Sequence, residues 1–183
     1  MKKIGLIVGH KPTSKGAGNR AKGIYEFDFN NKLSSFIAEC LISKGYDPII
    51  IYRDTYSGLP NKVNNIAPDI AISLHCNAFN GKASGAEVLY HHSSSNGAKL
   101  AKVLQTEIVK VMSESDRGIK PIDYDHKGNQ GDRGGWLVEK TSMPVVIAEP
   151  FFIDNLASLN KALTRMKFLA EAYAVAVDNY FKE

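Results

Sequence analysis

Short apolar runs of the sequence are interrupted or ended by three polar residues. Each of these residues can bind a metal ion or transfer a proton. These residues are His10, His75 and Glu149. Each run is typical of a strand that is buried on both faces. In open α/β sheets, ligands bind beyond the carboxyl ends of the strands. One strand-end histidine alone is more often a hydrogen-bonded structural residue, but three such residues favour a shared site at one edge of a sheet.

Glu26 is a fourth residue of this kind, near the start of a predicted helix. It lies one turn before Phe29, on the stripe that faces the sheet, whereas Asp28 lies on the solvent-facing side. A carboxylate on a buried face is costly unless a positive charge neutralises it. A metal ion shared with His10 and His75 would supply that charge. The alternative is a first-turn glutamate that the helix dipole stabilises.

Two histidines and one glutamate form a ligand set of catalytic zinc sites, in which a fourth position stays open for water. Zinc lowers the pKa of its bound water to about 7, and the reaction then needs a base that later protonates the leaving group. Glu149, a lone carboxylate in an apolar run, is the candidate base, and an ion pair with a Lys or Arg is its structural alternative. Cys76 should point away from His75, because neighbours on a strand face opposite sides.

The elements that must position these residues alternate between strand and helix, which is typical of an α/β domain. Predicted strands cover residues 3–9, 47–53, 69–75, 86–92 and 145–149. Predicted helices cover residues 25–44, 59–66, 95–114 and 156–181, the last with a break near Thr164. The polar, glycine-containing stretch 116–135 is predicted to be a long loop. We expect residues 1–183 to form a single domain.

Composition limits the class of protein. The chain has 183 residues, of which 44% are hydrophobic and 23% charged, and this excludes a disordered or collagen-like chain. The net charge of +4 is too small to indicate a nucleic-acid partner but suits an acidic polymer. Two cysteines are too few for a disulfide framework. We see no integral membrane segment and no signal peptide, and therefore expect synthesis in the cytoplasm.

Several further residues could contact a ligand. His91 and His92 are adjacent at a predicted strand end, so at most one should face a given site, and both are interpreted as surface residues. Trp136, Tyr124 and Phe79 are candidates to line a groove for a sugar or peptide. Four basic residues follow the first histidine, as a solvated loop or as a basic rim that attracts an anionic polymer: Lys11, Lys15, Arg20 and Lys22.

Taken together, the motifs resemble those of the zinc-dependent N-acetylmuramoyl-L-alanine amidases, the type-3 amidase family of cell-wall hydrolases and phage lysins. The resemblance follows the whole chain in order. The matching segments are Ile7-Val8-Gly9-His10, Glu26, Ile50-Ile51-Tyr52-Arg53-Asp54, Ser73-Leu74-His75-Cys76-Asn77-Ala78, Gly85-Ala86-Glu87-Val88 and residues 144–155, which include Glu149.

The resemblance implies a fold, a cofactor and a reaction. The fold is a twisted, mixed and mostly parallel sheet flanked by helices. One Zn²⁺ ion is held by His10, Glu26 and His75, and Glu149 is catalytic. Substrate contacts are predicted for Asn77, Arg53 and Lys11. The reaction is hydrolysis of the amide between N-acetylmuramic acid and the L-alanine of the stem peptide in peptidoglycan.

The family also implies where the protein acts. Peptidoglycan lies outside the cell membrane, and the chain looks most like a phage or prophage endolysin, so a holin or another release route is expected to let it reach the wall. Two other functions remain open at this point. A zinc peptidase that cuts within the stem peptide would use the same metal ligands, and a non-catalytic wall-binding domain would retain them without activity.

Overall fold

The computed structural model describes residues 1–124 and 134–182. The strands of this part of the chain are β1 (Lys3–Val8), β2 (Gly18–Asn19), β3 (Ile24–Tyr25), β4 (Asp47–Tyr52), β5 (Ile70–Leu74), β6 (Ala86–His91), β7 (Asp116–Ile122) and β8 (Val145–Glu149). Its helices are α1 (Glu26–Ser43), α2 (Leu59–Ile66), α3 (Ser95–Met112), α4 (Gly135–Lys140), α5 (Leu156–Thr164) and α6 (Met166–Lys182).

The described strands form one large sheet and one small hairpin. The large sheet has the strand order β4-β1-β5-β8-β6-β7, and β2 pairs with β3. β4, β1, β5 and β8 run parallel to one another, β6 is antiparallel to β8, and β7 is parallel to β6. The carboxyl ends of β1, β5 and β8 therefore lie on one side of the sheet, where these strands end. The carboxyl ends of β6 and β7 lie on the opposite side, where β1, β5 and β8 begin. The predicted mixed, mostly parallel sheet is confirmed.

Helices cover both faces of the sheet, which explains why the strands are apolar throughout. Leu6 of β1 packs in a core with Leu33 of α1 and Tyr173 of α6. The next residue, Ile7, packs in a second core with Val63 of α2. Alternate residues of one strand thus serve two cores, as expected for a doubly covered sheet. Among the helices of residues 1–124 and 134–182, none has the length and apolar character needed to cross a membrane.

The prediction of a loop over residues 116–135 is wrong in two places. Residues 116–122 form β7, which pairs along β6 at the sheet edge, and residues 135–140 form α4. Residues 125–133 of that stretch lie outside the described part. β7 is largely exposed and contains Gly118 and Pro121, so it lacks the apolar pattern of a buried strand. An edge strand tolerates proline because one side of its ladder is unpaired. The predicted helix break near Thr164 is confirmed.

Candidate metal centre and active site

The ends of β1 and β5 bring His10 and His75 side by side. The Gly9 N–H donates to the Leu74 carbonyl oxygen at 3.0 Å, which extends the pairing of the two strands. A Cβ atom at Gly9 would lie 2.5 Å from that oxygen and 2.7 Å from the His75 ring, so only glycine fits here. His10 then adopts φ 65°, and its ring centroid lies 5.2 Å from that of His75.

Glu26 places a buried carboxylate between the two imidazole rings. As the first residue of α1, it is 3% exposed. Its Oε2 lies 3.1 Å from His10 Nε2, and its Oε1 lies 3.0 Å from His75 Nδ1. Each oxygen also accepts a backbone N–H, from Ala17 at 3.2 Å and from Cys76 at 2.9 Å respectively. The structure thus brings these three residues together, with one ligand atom of each within 4.8 Å of the others.

The charge at this centre is suited to a cation. Burial by itself would raise the pKa of Glu26, but hydrogen bonds and charge interactions with His10 and His75 lower it to about 2. The carboxylate is therefore ionised at neutral pH. Gly16, at φ +79°, closes around the centre, and a Cβ atom there would lie 2.5 Å from His10 Cδ2 and 2.7 Å from Glu26 Oε2. A buried carboxylate beside two imidazole rings is a donor set that fits zinc.

Glu149 lies beside this centre because of the register of β5 and β8. Leu74 pairs with Ala148, and the next residue along each strand is His75 and Glu149 respectively. The His75 N–H donates to the Ala148 carbonyl oxygen at 3.0 Å. Glu149 lines the same cavity of about 720 Å³ as the three predicted ligands. The four residues singled out in the sequence therefore share one cavity.

No role was predicted from the sequence for two charged residues, Glu87 and Arg117, which pair with each other in the structure. Glu87, at the start of β6, is 9% exposed and lines the cavity. Its Oε1 accepts a hydrogen bond from Asn77 Nδ2 at 2.6 Å, and its Oε2 accepts one from Arg117 Nε at 2.8 Å. The Arg117 guanidinium also lies 5.1 Å from the Phe152 ring centroid. A carboxylate at the start of an apolar strand was the available signal for Glu87. No local pattern of β7 indicated Arg117.

The predicted substrate-contacting residues occupy different positions. Arg53 lines the cavity, with its guanidinium carbon 5.9 Å from the Tyr56 ring centroid. Asn77 also lines it, but its amide donates to Glu87 and its Oδ1 accepts the Ala78 N–H at 2.9 Å. Lys11 lies in a turn closed by backbone pairing with Ser14, outside the described lining of the cavity.

The other residues that the sequence suggested as ligand contacts also differ in position. Tyr124 and Trp136 line the cavity, and their rings meet edge to face at 5.1 Å. Phe79 is 79% exposed and lies outside the described lining. Lys15, one of the four basic residues that follow His10, pairs with Asp28 at 2.9 Å. The Cys76 thiol is buried, and burial first, then the nearby carboxylates of Glu26 and Glu149, raises its pKa well above the ordinary value.

Comparisons with known proteins point to one family. Residues 4–179 match the family model described as N-acetylmuramoyl-L-alanine amidase. The chain is 26% identical over 161 residues to the N-acetylmuramoyl-L-alanine amidase LytC of Bacillus subtilis, covering 84% of this chain and 30% of LytC. It is 29% identical over 189 residues to the endolysin of Bacillus phage SPP1, covering 96% of this chain and 65% of the endolysin.

The fold is shared with solved amidase structures. The N-acetylmuramoyl-L-alanine amidase from Clostridium difficile 630 superposes with a TM-score of 0.83 and 25% sequence identity, over 100% of this chain and 97% of that one. The chain spans less than two thirds of the length of LytC and of the phage endolysin. Because the family model extends over nearly all of its residues, the chain belongs to the N-acetylmuramoyl-L-alanine amidase family.

Proposed function

We propose that the protein is a zinc-dependent peptidoglycan hydrolase that cleaves the amide between N-acetylmuramic acid and the L-alanine of the stem peptide. The observation that carries this proposal is the buried Glu26 carboxylate between His10 and His75, in a cavity that Glu149 also lines. Membership of the amidase family supports the choice of bond. The expected outcome in the cell is lysis of the wall, as for an endolysin.

In this proposal, His10, Glu26 and His75 hold one Zn²⁺ ion, which would supply Lewis acidity to the attacking water and the scissile carbonyl. A carboxylate oxygen of Glu149 accepts a proton from the water as its oxygen attacks the carbonyl carbon. Glu149 then donates that proton to the nitrogen of L-alanine as the C–N bond breaks. The products are the lactyl carboxylate of the muramic acid and a peptide with a free L-alanine amino terminus.

Other residues of the cavity bind and orient the substrate. Arg53 presents a guanidinium to the cavity, which suits a carboxylate or carbonyl of the stem peptide. Tyr124 and Trp136 offer ring faces and edges to a sugar or a peptide. Asn77, whose amide is held by Glu87, shapes the wall beside the reacting bond. Lys11, in the turn after His10, contacts the peptidoglycan outside the cavity.

The partner in this proposal is the peptidoglycan of a bacterial wall, and the place of action is the outer side of the cell membrane. A holin or another release route is the proposed way in which the protein reaches the wall. The family's endolysin relative supports this placement, because that protein is named for its lytic function.

Digestion of purified peptidoglycan followed by analysis of the new termini tests the function. We expect new L-alanine amino termini and intact lactyl groups on the glycan. New termini deeper in the peptide would instead identify a peptidase that acts within the stem. Wall binding with no released product would identify a non-catalytic binding domain. The Glu149→Gln variant provides the control for contaminating hydrolases, because its release of these products should fall at least about 10²-fold.

A further inference from the structure

A second group of metal-ligating side chains lies where β6 and β7 end. His91 is the last residue of β6, His92 follows it, and Asp123 follows β7. The His92 N–H donates to the Ile122 carbonyl oxygen at 3.0 Å, which keeps the two chain segments together beyond the strands. One ligand atom from each of the two histidines and the aspartate lies within 4.8 Å of the others.

The strand alternation that predicted opposite directions for the two histidines ends at His91. His92 lies in the turn beyond β6, where the Ser94 N–H donates to the His91 carbonyl oxygen at 2.9 Å. Both rings therefore reach the same carboxylate, and their centroids are 4.7 Å apart. The expectation that at most one of them faces a given site is wrong, because a turn does not keep the two-residue repeat of a strand.

The distances within the group suit a metal ion better than direct hydrogen bonds. His91 Nε2 lies 3.8 Å from Asp123 Oδ1, and His92 Nε2 lies 3.4 Å from Asp123 Oδ2. Hydrogen bonds between such atoms are about 2.7–3.2 Å long. Ligands about 2.0–2.2 Å from a tetrahedral zinc ion are themselves roughly 3.3–3.5 Å apart. Small side-chain movements would bring all three donors to an ion between them.

The orientation of one ring is already fixed. His91 Nδ1 lies 2.9 Å from Ser93 Oγ, so Nε2 is the nitrogen that faces Asp123. A hydrogen bond at the other ring nitrogen is the usual way in which proteins orient a metal-binding histidine. The side chains of His92 and Asp123 are 53% and 57% exposed, which gives an ion access from solvent.

We propose that His91, His92 and Asp123 form a second binding site for a divalent transition-metal ion of the zinc class. The site is separate from the amidase centre, since β6 runs antiparallel to β8 and ends at the opposite edge of the sheet. A bound ion joins the turn after β6 to the segment after β7. That segment continues into Tyr124, which lines the cavity.

The test is the number of Zn²⁺ ions that the full chain binds in equilibrium dialysis at neutral pH. We expect two equivalents for the unmodified chain and one for His92→Gln or Asp123→Asn. His75→Gln should also bind one, and the His75→Gln/His92→Gln variant none. Asp47→Asn, which removes an exposed carboxylate at the start of β4, is the matched control and should still bind two.

The variants distinguish failure of this site from failure of the amidase centre. If His92→Gln and Asp123→Asn bind as much Zn²⁺ as the unmodified chain, the second site does not exist. If His75→Gln binds as many Zn²⁺ ions as the unmodified chain, the proposed zinc centre at His10, Glu26 and His75 is refuted. The second site is then judged only from His92→Gln and Asp123→Asn. His92→Gln should retain full amidase activity, because His92 does not belong to the described lining of the cavity. A second measurement is the Tm with and without added Zn²⁺. Zn²⁺ should raise the Tm of His75→Gln but not that of His75→Gln/His92→Gln.

Discussion

Glu87 and Glu149 lie directly opposite each other on the antiparallel ladder between β6 and β8. Residues in this relationship project from the same face of a sheet, and both side chains line the cavity. Glu87 is held by Asn77 and by the cation of Arg117. The wall of the cavity thus contains two neighbouring carboxylates. We infer that Glu87 has a structural role in the wall of the cavity. Glu149, beside His75, is then the carboxylate that transfers the proton from the attacking water to the leaving nitrogen.

Replacing Glu149 by glutamine should separate chemistry from folding. Glutamine keeps the size of the side chain but cannot accept the proton, so we expect activity to fall at least about 10²-fold. Zinc content and Tm should stay close to those of the unmodified chain. The rate of release of L-alanine amino termini measures the effect. Glu171→Gln, on α6, is the matched control with unchanged activity, and near-normal turnover of Glu149→Gln would refute the assigned role.

Removal of zinc should abolish activity. Dialysis of the His92→Gln variant against a chelator is the sharpest form of this experiment, since only the amidase centre can then lose an ion. We expect activity to return on addition of Zn²⁺, and Tm to be lower without the ion, because a ligand that binds only the folded state stabilises it. A metal-free sample with full activity would contradict the zinc proposal.

Gly16→Ala should damage the metal centre. Alanine at φ +79° costs about 1 kcal/mol of backbone strain, and its Cβ atom would also meet His10 and Glu26. Gly23→Ala is the matched control, because Gly23 has φ +64° but no atom within 4 Å of a Cβ atom. Both variants should lose a similar amount of free energy of unfolding from strain. Only Gly16→Ala should lose zinc affinity and activity, and equal zinc affinity in the two would contradict this arrangement.

The Arg117–Glu87 pair should contribute measurably to stability. Breaking a buried ion pair costs about 3–5 kcal/mol, but the Arg117 side chain is 40% exposed, so we expect about 1–2 kcal/mol for Arg117→Gln. Urea unfolding of Arg117→Gln, Glu87→Gln and the double variant gives the coupling between the two residues. Lys62→Gln removes a contact to Asp54, which is 82% exposed, and a hydrogen bond to the Tyr52 carbonyl oxygen, and should cost about 1 kcal/mol or less. Additive effects at Arg117 and Glu87 would argue against the pair.

Asp69 should make stability depend on pH in the acid range. Lys2, which donates to Asp69 Oδ1 at 2.9 Å, and the Lys3 N–H, which donates to Oδ2 at 2.8 Å, lower the pKa of Asp69. A lowered pKa contributes stability above the unfolded pKa of about 3.9, and this contribution is lost as pH falls through the folded value. Asp69→Asn should therefore be less stable by at most about 1 kcal/mol at neutral pH and equal to the unmodified chain in strong acid.

Urea unfolding at a series of pH values measures this difference. Lys2→Met should reduce the pH dependence that Asp69 causes, because it removes the ammonium group and leaves the backbone donor. A stability difference between Asp69→Asn and the unmodified chain that stays constant down to strong acid would show that the charge of Asp69 has no part in it.

The residues of the proposed zinc centre could be picked out from the sequence because each of them violates a short local pattern. A histidine or glutamate at the end of an apolar run, or on the buried stripe of a helix, is visible within about ten residues of sequence. Strand ends in an α/β fold also converge, which placed His10, His75 and Glu149 at one edge. The same reasoning failed for β7, whose exposed position at the sheet edge leaves no apolar run to detect.

The sequence by itself determined the alternation of strands and helices, the four residues at the centre and the resemblance to a family. Only the tertiary structure decided which distant residues became neighbours. Glu87 and Arg117 pair because β6 and β7 are adjacent in the sheet, and Asp123 reaches His91 and His92 because those strands end together. Local periodicity indicates on which face of its helix or strand a residue lies. Strand order and register are set by packing across the whole fold, and they determine which other residues that face contacts.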